Sequence, residues 1–426
     1  MGFSWKPACP RLVRERAAVG RLARHELYAL PQMTQHRFSI WLATAILLGL
    51  LACASQSTVP GMPPEAAAPV LQVSPAQESA PGAAAGEGLG SLRNARVAFA
   101  TDGKPVPLTF LARGNMSPDE LAELTRLAPN LRILSGLSRE QALEHAAEAQ
   151  GADAGLVTPE FLAAAGQLVW VQAMGAGVER FLALDGLAKE ERIVLTNMRG
   201  VHGPAISEHV FATLLFLTRD LRFHVANQPS GTWKQDGSSR RPITLQGRTL
   251  LVVGLGGIGS EVAERAHGFG MRVIATRRSD TPSPAYLSHV GRPDELKAML
   301  PHADVVVVCT PLTPETDQLF DRQAFAAMKP GAYLVNIARG RIVQTQALVE
   351  ALRDGRLAGA CLDVTDPEPL PADHPLWQMA NVVITPHVSN DSELTDQRGA
   401  QLFHENLRRF AAGEPLLNVV DKLAGY

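Results

Sequence analysis

Cysteine is scarce: four in 426 residues, Cys9, Cys53, Cys309 and Cys361. That is too few for a disulfide framework, and no metal-ligand spacing is present. Cys309 and Cys361 lie in apolar runs and read as small buried hydrophobes. Charge of one sign is also lacking. Forty basic residues face 42 acidic ones, a formal net charge of −2, which argues against a nucleic-acid partner. No apolar run reaches the roughly 20 residues of a membrane-spanning helix. What the chain does have is apolar bulk, 46% hydrophobic over a length that suits two or three domains.

The N-terminus differs from the rest. The run FSIWLATAILLGLLA at 38–52 has the length of a signal-peptide core, with Arg37 and further basic residues upstream. Met33 is read as the true start. The run closes on Leu50-Leu51-Ala52-Cys53, similar to a bacterial lipobox, which makes Cys53 a lipidation site and the only membrane attachment an acyl anchor. An uncleaved anchor and a leader without a role are the alternatives. Residues 54–92 are rich in Ala, Pro, Gly, Ser and Glu, and such a segment cannot bury enough surface to order itself. The expected order is therefore a leader over 1–53 and a disordered tether over 54–92. The body sits at the cell envelope if the leader is used and in the cytoplasm if it is not.

From residue 93 short apolar runs alternate with helical spacing, as in a parallel α/β sheet. Strands are expected at 96–100, 133–134, 154–157, 169–172, 193–196, 249–254, 272–276, 304–309, 333–337, 360–364 and 382–385. Helices are expected over 117–127, with Ser117 as N-cap and Pro118 at the first position, over 204–221 and over 259–269. There is no internal repeat.

The strand at 249–254 runs into Gly254-Leu255-Gly256-Gly257-Ile258-Gly259, a G-x-G-x-x-G between strand and helix. In that context it reads as a dinucleotide cradle. Gly254 serves the tight turn, Gly256 the approach of the pyrophosphate, Gly259 the close packing of helix on strand. The N–H groups near Gly257 and Ile258 face the phosphates. An acid at the end of the next strand would bind a ribose 2′-hydroxyl; Arg277 and Arg278 stand there instead. Two guanidinium groups suit a 2′-phosphate, so NADP(H) is the expected cofactor and NAD(H) the alternative.

Three further features follow in order: Arg339 in Asn-Ile-Ala-Arg-Gly, Glu368 between two prolines, and His387 in Thr-Pro-His. Reduction of a 2-oxo acid needs a cation for the carboxylate, an acid for the new alkoxide and a hydride. The forked guanidinium of Arg339 suits the first role. His387 suits the second, since an imidazole ordinarily titrates near neutrality. Glu368 suits the orientation of that imidazole.

With these residues the chain resembles the D-isomer-specific 2-hydroxyacid dehydrogenases from residue 97 or so to its end. GLGGIG at 254–259, CTPLTPET at 309–316, NIARGRIVQTQALVEAL at 336–352 and the segments around Glu368 and His387 carry the resemblance. It implies Arg339, Glu368 and His387 as the catalytic set. Thr310 and Pro311 would line the cofactor site, and Asp363 would contact the nicotinamide amide. A loop with Gly175, Ala176 and Gly177 would offer N–H groups to the substrate carboxylate; Glu179 stands in that loop where members often have Asp. The resemblance also implies two Rossmann-like doubly wound domains around a cleft. The substrate domain would use 93–200 and 386–426, the NADP-binding domain 201–385. A homodimer is expected. The Arg pair and the C-terminal ending look closest to the glyoxylate/hydroxypyruvate reductase branch. The competing readings are a non-catalytic nucleotide sensor or envelope-tethered module and a phosphoglycerate dehydrogenase-like enzyme.

Overall fold

The computed structural model describes residues 105–235 and 241–425. Cys9, Cys53, the leader, the tether and the strand expected at 96–100 lie outside the described residues. Among the described residues no helix is long and apolar enough to cross a membrane.

Two parallel sheets organise this body. The first holds β1 (Leu108–Leu111), β2 (Leu131–Leu134), β3 (Gly151–Asp153), β4 (Trp170–Gln172) and β5 (Val194–Thr196), in the order β2-β1-β3-β4-β5. The second holds β6 (Thr249–Val253), β7 (Arg272–Thr276), β8 (Leu287–Gly291), β9 (Val305–Val308), β10 (Ala332–Asn336), β11 (Leu357–Leu362) and β12 (Val382–Ile384). Its order is β12-β11-β10-β9-β6-β7-β8. Both are doubly wound: the first follows the flavodoxin-like order, the second the dinucleotide-binding order extended by one strand. In the second sheet the order reverses between β6 and β9, and ligands of such sheets bind beyond the strand ends at that point. The four valines of β9 are all fully buried, as a strand covered on both faces requires.

The helix Pro118–Leu127 starts where its signals place it. Ser117 accepts from the Glu120 N–H while Glu120 reaches back to the Ser117 N–H, and Pro118 opens the first turn. Several expectations shift. The strand expected at 154–157 is a 3-10 turn, and β3 lies just before it. Asp153 Oδ1 accepts from the Gly155 N–H at 2.7 Å and turns the chain out of the sheet. The helix expected over 204–221 ends at Thr218; Asp220 adopts φ 52, and a second helix, Leu221–Asn227, begins. The strand expected at 360–364 begins earlier and stops at Leu362. β1 and β8 had no clear signal, the first lying just after a proline-rich stretch, the second being an exposed edge.

The last helix, Glu393–Ala412, follows the second sheet in sequence yet packs on the first. Phe403, Leu407 and Phe410 join Leu108, Phe110 and Trp170 in one core. The helix Gly203–Thr218 packs instead on the second sheet, with Val210 and Leu214 against Leu250, Val252 and Val305.

Candidate active site

The cradle is shaped by contacts that only glycine permits. Gly254 has φ 100, and a Cβ there would lie 2.9 Å from the Thr310 backbone nitrogen. A Cβ on Gly259 would lie 2.1 Å from the Gly254 carbonyl oxygen. Gly256 is the extended N-cap of the helix Gly257–Gly268, and a Cβ there would enter open space. The first-turn N–H groups of Gly257 and Ile258 therefore lie beside an unobstructed backbone. These residues fit a pyrophosphate. Thr310 abuts the turn, which places it and Pro311 beside the cradle.

Arg277 and Arg278 follow β7, and β7 is tied to the cradle by the Leu255 N–H bonded to the Thr276 carbonyl at 2.8 Å. The Arg277 guanidinium is folded onto its own loop. Its Nε donates to the Ser279 carbonyl at 3.0 Å, and its Nη2 to the Thr281 carbonyl and Ser283 Oγ. Arg292 draws Asp280 away at 2.8 Å. Glu315 approaches Arg278; its carboxyl is held below the ordinary range chiefly by the Thr313 hydroxyl and its own backbone N–H, with Arg278 adding to them.

His387 Nδ1 lies 2.8 Å from Glu368 Oε1, with both side chains about half exposed. Glu368 therefore takes the Nδ1 side of the ring and leaves Nε2 for other partners; the donor is Nδ1–H when Glu368 is ionised. His387 itself has φ 57, a conformation rare outside glycine that the surrounding contacts must hold. Its N–H donates to the Asp363 carbonyl at 2.8 Å.

Asp363 lies at the sheet end that leads to His387. It is buried, and its carboxylate is committed to the segment that carries His387. Oδ1 accepts from Thr385 Oγ1 at 2.6 Å and the Val388 N–H at 3.0 Å, Oδ2 from the Ser389 N–H at 3.1 Å. Burial pushes its carboxyl up, but the donors from Ser389, Thr385 and Val388 outweigh that and hold it below the ordinary range. These three hydrogen bonds fix the His387 loop. His209 Nε2 meets Thr385 Oγ1 at 3.0 Å. Since the Thr385 hydroxyl donates its hydrogen bond to Asp363, His209 is the donor to Thr385. Neither His209 nor Thr385 carries a sequence signal for this role.

Arg339 leaves the end of β10, where Asn336 shapes the turn: the Ala338 N–H donates to its Oδ1 at 3.1 Å, and its Nδ2 donates to the Arg339 carbonyl at 3.0 Å. A Cβ on Gly340 would lie 1.9 Å from the Thr365 carbonyl oxygen, so glycine lets this turn meet the loop that leads to Glu368. The loop of Gly175, Ala176 and Gly177 is held by Asn197 Nδ2 on the Ala176 carbonyl at 2.8 Å and by the Met198 N–H on the Gly175 carbonyl at 3.0 Å. Gly177 touches Arg339 directly: a Cβ there would lie 1.6 Å from Nη2. Glu179, noted in the sequence only as a departure, pairs with the same guanidinium, Nε to Oε1 at 3.2 Å. The structure thus brings His387 to Glu368, Arg339 to Gly177, and Thr310 to Gly254, while a Cβ on Gly175 would enter open space.

The profile of the D-isomer specific 2-hydroxyacid dehydrogenase NAD binding domain matches residues 211–389. A glyoxylate reductase of Korarchaeum cryptofilum is 36% identical over 240 residues, 55% of this chain and 71% of that enzyme. The solved D-isomer specific 2-hydroxyacid dehydrogenase of Xanthobacter autotrophicus, in complex with NADPH and MES, is 31% identical; it covers 75% of this chain and 99% of its own, with a TM-score of 0.63. The NADPH-dependent glyoxylate/hydroxypyruvate reductase of Sinorhizobium meliloti, solved with NADP and sulfate, is 26% identical, with a TM-score of 0.63 over 75% of this chain and all of its own. Likeness on this scale, in sequence and in both sheets, means that the chain belongs to the family of D-isomer specific 2-hydroxyacid dehydrogenases.

Proposed function

We propose that the chain reduces a small 2-oxo acid, of glyoxylate or hydroxypyruvate size, to its D-2-hydroxy acid with NADPH. The observation that carries this is the 2.8 Å contact of His387 with Glu368, because a pure nucleotide sensor has no need of an oriented proton donor. The family supplies NAD(P)-dependent dehydrogenase chemistry. NADPH is favoured by Arg277 and Arg278, and the two NADP-bound neighbours support that choice. A homodimer belongs to the same reading, supported by the family resemblance.

The cradle at 254–259 would hold the pyrophosphate, with Thr310 and Pro311 beside it. NADPH, when bound, supplies the hydride. Arg339 and the N–H groups at 175–177 hold the substrate carboxylate. As a C–H bond forms at the carbonyl carbon, the C=O π pair moves to oxygen, which takes a proton from His387 Nε2. Glu368 stabilises the imidazolium before that transfer and fixes the ring plane throughout. In the oxidative direction the neutral Nε2 takes the proton back.

The test follows NADPH and NADH absorbance with glyoxylate, hydroxypyruvate, pyruvate and bulkier 2-oxo acids. Turnover with NADPH and a small acid is expected, with kcat lowered about 10²–10⁴-fold in His387→Ala. An unchanged rate in that variant removes His387 from the chemistry. NADPH binding without turnover of any acid points to a sensor.

A further inference from the structure

We infer that Glu179 is a positioning residue for Arg339, holding one edge of its guanidinium so that a substrate carboxylate meets the other. This rests on the reductase reading above. The two residues come from different sheets: Arg339 follows β10, while Glu179 opens the short helix Glu179–Leu182 after β4, 160 positions earlier. Oε1 lies 3.2 Å from Nε, and Nη2 donates to Oε2 at 3.4 Å. The carboxylate therefore lies along the Nε/Nη2 side of the fork. Nη1 donates to the Ala338 carbonyl at 2.7 Å.

A guanidinium has five N–H donors in a rigid plane. With Glu179 on the Nε/Nη2 edge and one Nη1 N–H given to Ala338, the other bidentate edge of the fork is its Nη1/Nη2 end. That end is itself a bidentate carboxylate site. An unclamped arginine would spread over its rotamers and present either edge. Here the pair is about two-thirds buried, with side-chain exposures of 32% and 28%, which sets it apart from a solvated surface pair. Gly177 packs against it so tightly that its missing Cβ would lie 1.6 Å from Nη2 and 2.8 Å from Glu179 Oε2. The loop offered to the substrate carboxylate thus also forms the wall that keeps the clamp in place. Aspartate at this position is one methylene shorter and would reach less far across to Arg339.

The experiment compares the wild-type chain with Glu179→Gln and Glu179→Asp, in two assays. Steady-state kinetics with NADPH and the best 2-oxo acid give KM for each. Calorimetry gives the affinity of oxalate, an unreactive small carboxylate, for the NADPH complex. Glu179→Gln is expected to raise the oxo-acid KM and the oxalate Kd about tenfold or more, the loss equivalent to one charge-assisted hydrogen bond. KM for NADPH should not move, and Glu179→Asp should fall between wild type and Gln. A purely structural role would lower Tm and leave KM and Kd alone, which overturns the inference. So does a tighter oxalate complex in Glu179→Gln, since Glu179 would then be a competitor for Arg339. Failure of the wild type to bind oxalate overturns it as well. If no 2-oxo acid is turned over but the oxalate affinity still depends on Glu179, the clamp stands and the reductase reading falls.

Discussion

The Arg277 guanidinium donates to carbonyl and hydroxyl oxygens, none of which offsets its positive charge as a bonded carboxylate would. A 2′-phosphate beside it would still meet an uncompensated cation. Arg277→Asp should shift the preference from NADPH toward NADH, read as the ratio of the two kcat/KM values; a retained ratio would place the 2′-phosphate elsewhere. Asp363 carries a different consequence. Its folded carboxyl is held below the ordinary range, so it adds stability above the unfolded value of about 4 that is lost as pH falls through the folded value. Urea unfolding at several pH values should show that acid loss. Asp363→Asn should flatten it and lower stability at neutral pH by about 1–3 kcal/mol. An equal acid slope in the variant would show that other carboxylates set it. Burial pushes the thiols of Cys309 and Cys361 up to about 12; Cys361 lies in the core and Cys309, partly buried, packs against it.

Among the elements, the helix Glu393–Ala412 packs on β1 and β4, strands far earlier in the sequence. Ser392 caps it and Gly413, at φ 67, turns the chain out of it. Phe410 is fully buried with its ring 5.0 Å from that of Trp170. Asn406 adds a buried tie, donating to Gln172 Oε1 at 3.2 Å while its own Oδ1 accepts from the Leu417 N–H at 2.8 Å. Phe410→Ala should therefore cost about 3–5 kcal/mol, the range for emptying a buried aromatic site. Chemical denaturation followed by tryptophan fluorescence measures it, and a cost under 1 kcal/mol would show that the helix is not anchored there. The helix boundaries at Ser117 and Ser392 follow from local capping chemistry. The displaced strand at 154–157 shows the opposite case, where one Asp153 hydrogen bond outweighs an apolar run.

At the scale of the whole chain, the N-terminal reading bears on where the reaction runs. NADPH is a cytoplasmic cofactor, whereas the leader expected over 1–53, outside the described residues, would carry the body to the envelope. Radiolabelled palmitate should label the protein and fail to label Cys53→Ala; absence of label on the wild type would remove the lipid anchor. Within the folded body, the sheets meet through named contacts. Glu179 and Gly177 from the first reach Arg339 of the second, and the Glu393–Ala412 helix returns from the second to the first.

The sequence by itself determined what depends on local order. The G-x-G-x-x-G stands between a strand and a helix, and Arg339, Glu368 and His387 follow in a fixed succession, because backbone turns and residue chemistry are written along the chain. It also carried the parallel α/β class, through runs too apolar to face water on either side. Only the tertiary structure decided which groups share a hydrogen bond across long separations. Asp363 accepts from the His387 loop, His209 donates a hydrogen bond to Thr385, and Glu179 takes one edge of Arg339. Such pairings depend on angles and distances between elements that are far apart in sequence, and a guanidinium or carboxylate looks the same in the sequence whichever partner it finds.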